Sequence, residues 1–134
     1  MSKISLVSII DDDAIFQFLA NRLLRSTNLI DKIIQFPDGE KAINYFIENK
    51  DIAENIPDLV FLDLNMPYID GWQFLEKFIA ISFPKELITI YICTSSNSLF
   101  DQKRFTEYPK LKGYLIKPID KEKFLEVVQN ELGL

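Results

Sequence analysis

Four apolar runs in this 134-residue chain each end on a side chain that can do chemistry. Residues 4–10 stop at Asp11, Asp12 and Asp13, and residues 59–62 stop at Asp63. Residues 88–93 stop at Thr94, and residues 113–116 stop at Lys117. Carboxylates gathered at one edge repel, so one of them is forced to keep its proton. A divalent hard cation relieves this, because carboxylate oxygens are its natural ligands. Mg2+ suits two carboxylates, a backbone carbonyl and water, and leaves room for a phosphate oxygen. An aspartate is also a covalent nucleophile toward phosphoryl groups. A threonine hydroxyl and a lysine ammonium beside it would stabilise an anion and the charge developing on transferred oxygens. The residue types therefore point to metal-assisted phosphoryl chemistry at Asp63.

Singly, several of these residues have ordinary roles. Asp13 reads as the cap of the helix after it, Thr94 as a loop cap, and Lys117 as a solvated loop charge. Asp63 is different, because Asp70, just before Gly71 and Trp72, is better placed to cap the next helix. The conjunction at successive strand ends is what makes a site.

The elements that must position these groups follow from the apolar pattern. Residues 59–62, Leu-Val-Phe-Leu, read as a strand buried on both faces, and Pro67 lacks the N–H needed to extend a ladder. A first strand covers 4–10 and a short second one 33–36. The third covers 58–62, the fourth 88–93 and the fifth 113–116. Helical spacing brings Ile15, Phe16, Leu19, Leu23 and Leu24 together in a first helix, and Ala42, Ile43, Phe46 and Ile47 in a second. Asp38 is the expected cap of that second helix. A third helix spans 71–81, with Phe74, Leu75, Phe78 and Ile79 inward. A fourth spans 98–107. A fifth starts after Asp120, carries Phe124, Val128 and Leu132, and ends at Gly133. Residues 50–57 read as a loop. Strand–helix alternation of this kind predicts an α/β fold, a doubly wound five-stranded parallel sheet with five helices. The predicted order is 2-1-3-4-5, with a switch point between strands 1 and 3 where ligands bind.

Composition narrows the function. The length is that of one domain, and 48% hydrophobic residues with eleven Phe can fill a core without staples. The single Cys93 excludes an internal disulfide, fits a reducing compartment and reads as a buried structural thiol. A net charge of −5 with no basic block argues against nucleic acid. No apolar run has the ~18 residues of a membrane span, and no signal peptide is evident. With no histidine, imidazole catalysis and phosphohistidine relay from this chain are excluded, and zinc is disfavoured.

The quoted pieces resemble a response-regulator receiver domain, in the manner of single-domain chemotaxis regulators. They are Ile-Ile-Asp-Asp-Asp at 9–13, Leu-Asp-Leu-Asn-Met-Pro at 62–67, Asp-Gly-Trp at 70–72, Cys-Thr-Ser-Ser at 93–96 and Gly-Tyr-Leu-Ile-Lys-Pro at 113–118. The strand order 2-1-3-4-5 is the one that receivers of this kind have. The resemblance implies a flavodoxin-like fold over residues 1–134, one receiver domain without an output domain. It implies that Asp63 accepts phosphate from the phosphohistidine of a histidine kinase or a histidine phosphotransfer protein. Asp11, Asp12 and Asp63, with the backbone carbonyl of Asn65, would hold Mg2+; Asp13 would not. Thr94 and Lys117 would contact the phosphoryl group, and Thr94 with Tyr114 would form the switch. It implies a cytoplasmic signalling phosphoacceptor rather than an enzyme, acting through a downstream protein and neither nucleic acid nor membrane, and a cis peptide at Lys117-Pro118.

Three other readings compete. A haloacid-dehalogenase-type Mg2+ phosphatase wants a second Asp two residues after the nucleophile, where this chain has Asn65. A receiver-like interaction module independent of phosphorylation would not need every chemical position filled. A flavin-binding flavodoxin-like protein needs a phosphate cradle after strand 1, where Asp11, Asp12 and Asp13 would repel phosphate.

Overall fold

A computed structural model describes residues 2–84 and 87–134. Five strands form one parallel sheet: β1 (Ile4–Ile10), β2 (Ile30–Phe36), β3 (Leu59–Leu62), β4 (Thr89–Thr94) and β5 (Leu111–Ile116). Their order is β2-β1-β3-β4-β5, as expected. The helices are α1 (Ala14–Arg25), α2 (Gly39–Glu48), α3 (Gly71–Ile79), α4 (Leu99–Phe105) and α5 (Lys121–Leu132).

Alternation along the strands feeds two core layers. Ile10, Val60, Leu62, Ile90 and Ile92 face α2 and α3, against Phe46, Phe74 and Phe78. Val7, Ile9, Leu59, Phe61 and Cys93 face α1 and α5, against Leu24, Phe124 and Val128. Phe46 anchors the first layer, with edge-on rings of Phe36, Phe74, Phe78 and Phe83 at 5.2–6.4 Å. In β3 all four residues are buried, which is why that strand carries no polar side chain until Asp63.

Acceptor side chains start the helices. Asp13 caps α1, Asp38 α2, Asp70 α3, Ser98 α4 and Asp120 α5, each accepting backbone N–H bonds of the first turn. Asp70 and Gln73 complete a reciprocal capping box. Gly133 ends α5 with φ +74°, the left-handed conformation suited to glycine.

Several boundaries differ from the sequence reading. The second strand starts at Ile30 rather than 33, because Ile4 pairs with Ile30 and extends the ladder past the mixed residues Asp31 and Lys32. The fourth strand is shifted by one residue and includes Thr94. The third helix stops at Ile79 and the fourth spans only Leu99–Phe105. The loop at 50–57 contains a 3-10 turn over Ala53–Asn55. Not every residue at helical spacing is core. Ile15 is 73% exposed, Leu19 and Ile47 are 50%, and Ile79, expected inward, is 41%. The stripe on α1 is wider than the surface the sheet can cover, so its rim stays outside.

Candidate functional site

Register brings the polar ends together. Ile10 of β1 lies opposite Leu62 of β3, and Leu62 opposite Ile92 of β4. The ladders then run one step past the strands. Asp11 N–H donates to Phe36 O at 3.1 Å, Asp63 N–H to Ile10 O at 3.0 Å and Lys117 N–H to Thr94 O at 2.8 Å. Main-chain bonds thus fix Asp11, Asp63, Thr94 and Lys117 on one edge of the sheet, at the switch point between β1 and β3.

Asp11 is 1% exposed and Asp63 5%. Asp11 Oδ1 accepts the Asp13 N–H at 2.8 Å, and Asp63 Oδ1 accepts the Leu64 N–H at 2.8 Å. Their Oδ2 atoms face Lys117 Nζ, at 2.7 Å from Asp11 and 3.9 Å from Asp63. Asp12 is exposed at the rim. One carboxylate oxygen from each of Asp11, Asp12 and Asp63 lies within 4.8 Å of the others. Three carboxylates against one ammonium leave the pocket two negative charges in excess when all are ionised. A divalent cation matches both that charge and the all-oxygen donor set.

The pocket's electrostatics follow from burial. Desolvation pushes the Asp11 carboxyl up from 3.8 to about 6, against the opposing pull of Lys117 and the Asp13 N–H, and the Asp63 charge adds to the rise. Desolvation also raises Asp63, opposed by Lys117, by the Thr94 hydroxyl and by the N–H groups of Leu64 and Asn65. Burial pulls the Lys117 ammonium down, but its bond to Asp11 and the charges of Asp11 and Asp63 outweigh it and hold it high. The Cys93 thiol, buried in the core layer between β4 and the helices α1 and α5, is pushed far up and stays protonated.

Thr94 and Tyr114 meet at one residue. Thr94 Oγ1 accepts the Ser96 N–H at 3.2 Å, and the Tyr114 hydroxyl donates to the Ser96 carbonyl at 2.8 Å. The Tyr114 ring packs edge-on against Phe105 of α4, with centroids 5.7 Å apart. Asn65 stands exposed in the loop after β3. Gly71 starts α3 against that loop. A Cβ there would sit 2.5 Å from the Asp63 carbonyl oxygen, so only glycine permits the approach. Lys117-Pro118 is cis, as the resemblance implies.

Sequence reasoning missed two supports. Gln17 Nε2 donates to the carbonyls of Ile9 and Asp11, both at 3.1 Å, and of Phe36 at 2.9 Å, tying the ends of β1 and β2 together beneath Asp11. An amide four residues after the Asp13 cap, on the face toward the sheet, was the available signal. The other is Asp101. Its Oδ1 accepts Trp72 Nε1–H at 3.0 Å and its Oδ2 accepts the Ser96 hydroxyl at 2.7 Å, joining α3, α4 and the β4–α4 loop. Nothing in local spacing joins residues 72, 96 and 101.

Comparison with known proteins agrees with this arrangement. A family model described as response regulator receiver domain matches residues 7–129. A crystal structure of a two-component response regulator from Cytophaga hutchinsonii superposes with a TM-score of 0.85, at 28% identity over 98% of this chain and 99% of that one. The Mn(2+)-bound form of response regulator Rcp1 gives 0.70, at 26% identity over 93% of this chain and 89% of that one. Protein-glutamate methylesterase/protein-glutamine glutaminase 3 of Geobacter sulfurreducens is 34% identical over 75% of this chain. The chain spans only 25% of that relative's length.

Proposed function

The chain belongs to the response regulator receiver domain family, and on that premise we propose that Asp63 accepts a phosphoryl group from the phosphohistidine of a kinase or a phosphotransfer protein. The observation that carries this reading is the Lys117 ammonium, held 2.7 Å from Asp11 and 3.9 Å from Asp63 in a buried pocket. In the transfer, an Asp63 carboxylate oxygen forms the O–P bond as the donor's N–P bond breaks. The imidazole nitrogen keeps the electron pair. Lys117 remains beside the acceptor, where its charge opposes that of the phosphoryl oxygens.

Asp11, Asp12, Asp63 and the backbone carbonyl of Asn65 would hold Mg2+. An ion held there would supply positive charge against the transferred oxygens. The all-oxygen donor set supports this, and the Mn(2+)-bound relative shows a similar fold with a divalent ion. The methylesterase activity named for the Geobacter relative is that protein's. For this chain we favour a signalling phosphoacceptor in the cytoplasm. Among the described residues no helix is long and apolar enough to cross a membrane.

Output would run through Ser96. A phosphoryl dianion at Asp63 offers strong acceptors to the Thr94 hydroxyl, and drawing Thr94 inward disturbs the residue that Tyr114 also holds. The surface of α4, β5 and α5 then changes for a protein partner. The test is incubation with Mg2+ and acetyl phosphate, followed by intact mass. A single labile phosphate adduct is expected. Continuous release of phosphate with no adduct would instead indicate a phosphatase, and no reaction at all a phosphorylation-independent module.

A further inference from the structure

Charge alone does not hold Lys117. Its Nζ also lies over the ring of Phe16, 4.2 Å from the centroid. Phe16 stands in the first turn of α1, and Asp13 fixes that turn. Asp13 Oδ1 accepts the N–H of Ile15 at 3.0 Å and that of Phe16 at 3.1 Å. The Phe16 ring packs against the core layer beneath α1 and α5. The acidic run therefore divides its labour. Asp11 and Asp12 face the pocket, and Asp13 anchors the turn that carries the ring.

We propose that Phe16 is a positioning residue for phosphoryl transfer, its π face seating the Lys117 ammonium so that the cation can leave Asp11 without leaving the site. This rests on the receiver reading given above. The pocket already holds three carboxylates, so an acidic seat would deepen their repulsion. An aliphatic wall would offer the ammonium nothing on that side. An aromatic face attracts a cation with no net charge and no proton to exchange. The seat would matter most with a divalent ion on Asp11, which would compete for the carboxylate that Lys117 holds at 2.7 Å. Lys117 then keeps two neighbours, the ring at 4.2 Å and the acceptor Asp63 at 3.9 Å. Its side chain is only 16% exposed, and the ring is part of the wall that keeps it from solvent.

The test compares wild type, Phe16→Leu and Phe16→Tyr, with Phe16→Met in reserve should the leucine variant fold poorly. Two quantities are read: the initial rate of adduct formation with acetyl phosphate at saturating Mg2+, and the NMR shifts of the Lys117 ε-methylene protons. Ring current should displace those protons upfield in wild type and in Phe16→Tyr, and the displacement should vanish in Phe16→Leu. The rate should fall about fivefold in Phe16→Leu, the scale of one partly buried cation–π contact, and mostly return in Phe16→Tyr. A purely structural role predicts no aromatic rescue and no link between shift and rate. If wild type is phosphorylated and Phe16→Leu is just as fast, the positioning role is overturned while the receiver reading stands. If wild type takes no phosphate, the receiver reading falls and this inference with it.

Discussion

Replacing Asp11 with asparagine tests the pocket's electrostatics without any phosphodonor. Burial raises the Asp11 carboxyl from 3.8 to about 6, so the folded protein binds this proton more tightly than the unfolded chain does. A raised group contributes stability that is fully present below the unfolded value, near 3.8, and is lost as pH climbs through about 6. Two units at 1.36 kcal/mol each put the loss at about 3 kcal/mol by neutral pH. The pull of Lys117 is already contained in that figure. Asp63 is raised as well and repels Asp11, so part of the change passes to it, and about 2 kcal/mol is the working expectation. The amide that replaces the carboxyl has no proton to lose. The stability of Asp11→Asn relative to wild type should therefore climb by about 2 kcal/mol between about pH 4 and about pH 7. Urea unfolding of both proteins across that range, with chelator present, measures it. A difference that stays flat would mean that Lys117 keeps Asp11 ionised throughout. A difference that falls with pH would reverse the sign and refute the reasoning outright.

The remaining predictions concern the metal, the switch and the loop. Mg2+ at a hundred times its dissociation constant should stabilise wild type by about 2.7 kcal/mol, and Asp12→Ala should lose most of that gain in melting curves; an undiminished response removes Asp12 from the ligand set. Thr94→Ala should still accept phosphate, yet its Tyr114 ring signals should barely respond to beryllofluoride, whereas those of wild type shift; equal responses would break the link through Ser96. Asp101→Ala strips the acceptor from Trp72 Nε1–H and from the Ser96 hydroxyl, at a cost of about 1 kcal/mol for this partly exposed group. Trp72 is the chain's one tryptophan, so its fluorescence should change too, and an unaltered spectrum would argue against the bond.

Much of this fold was legible because the strands are mainly apolar, β3 wholly so, and Asp11, Asp63, Thr94 and Lys117 sit where such runs stop. The parallel pairing follows from strand–helix alternation, and Asp13, Asp38, Asp70 and Asp120 mark helix starts by local hydrogen bonding. The starts of both edge strands were hidden: Asp31 and Lys32 break the apolar pattern of β2, and Lys112 and Gly113 break that of β5, which begins at Leu111 rather than 113. The outward placement of Ile15, Leu19, Ile47 and Ile79 was equally invisible. Helical spacing says which residues share a face, not how much of that face the sheet covers. Within the site, Asp11, Asp12 and Asp63 were legible because they share a sheet edge with Lys117. The roles of Gln17, Asp101 and Phe16 depend on where α1 and α4 lie over that edge, which is a tertiary fact.

The central claim is that Asp63 is the phosphoacceptor, and trapping the adduct addresses it most directly. Borohydride reduces an aspartyl phosphate to homoserine, and peptide mass spectrometry then locates it. After treatment with acetyl phosphate and Mg2+, homoserine should stand at position 63 alone, and a folded Asp63→Asn variant should yield none. Homoserine at another aspartate in wild type, or phosphate retained by Asp63→Asn, would contradict the account.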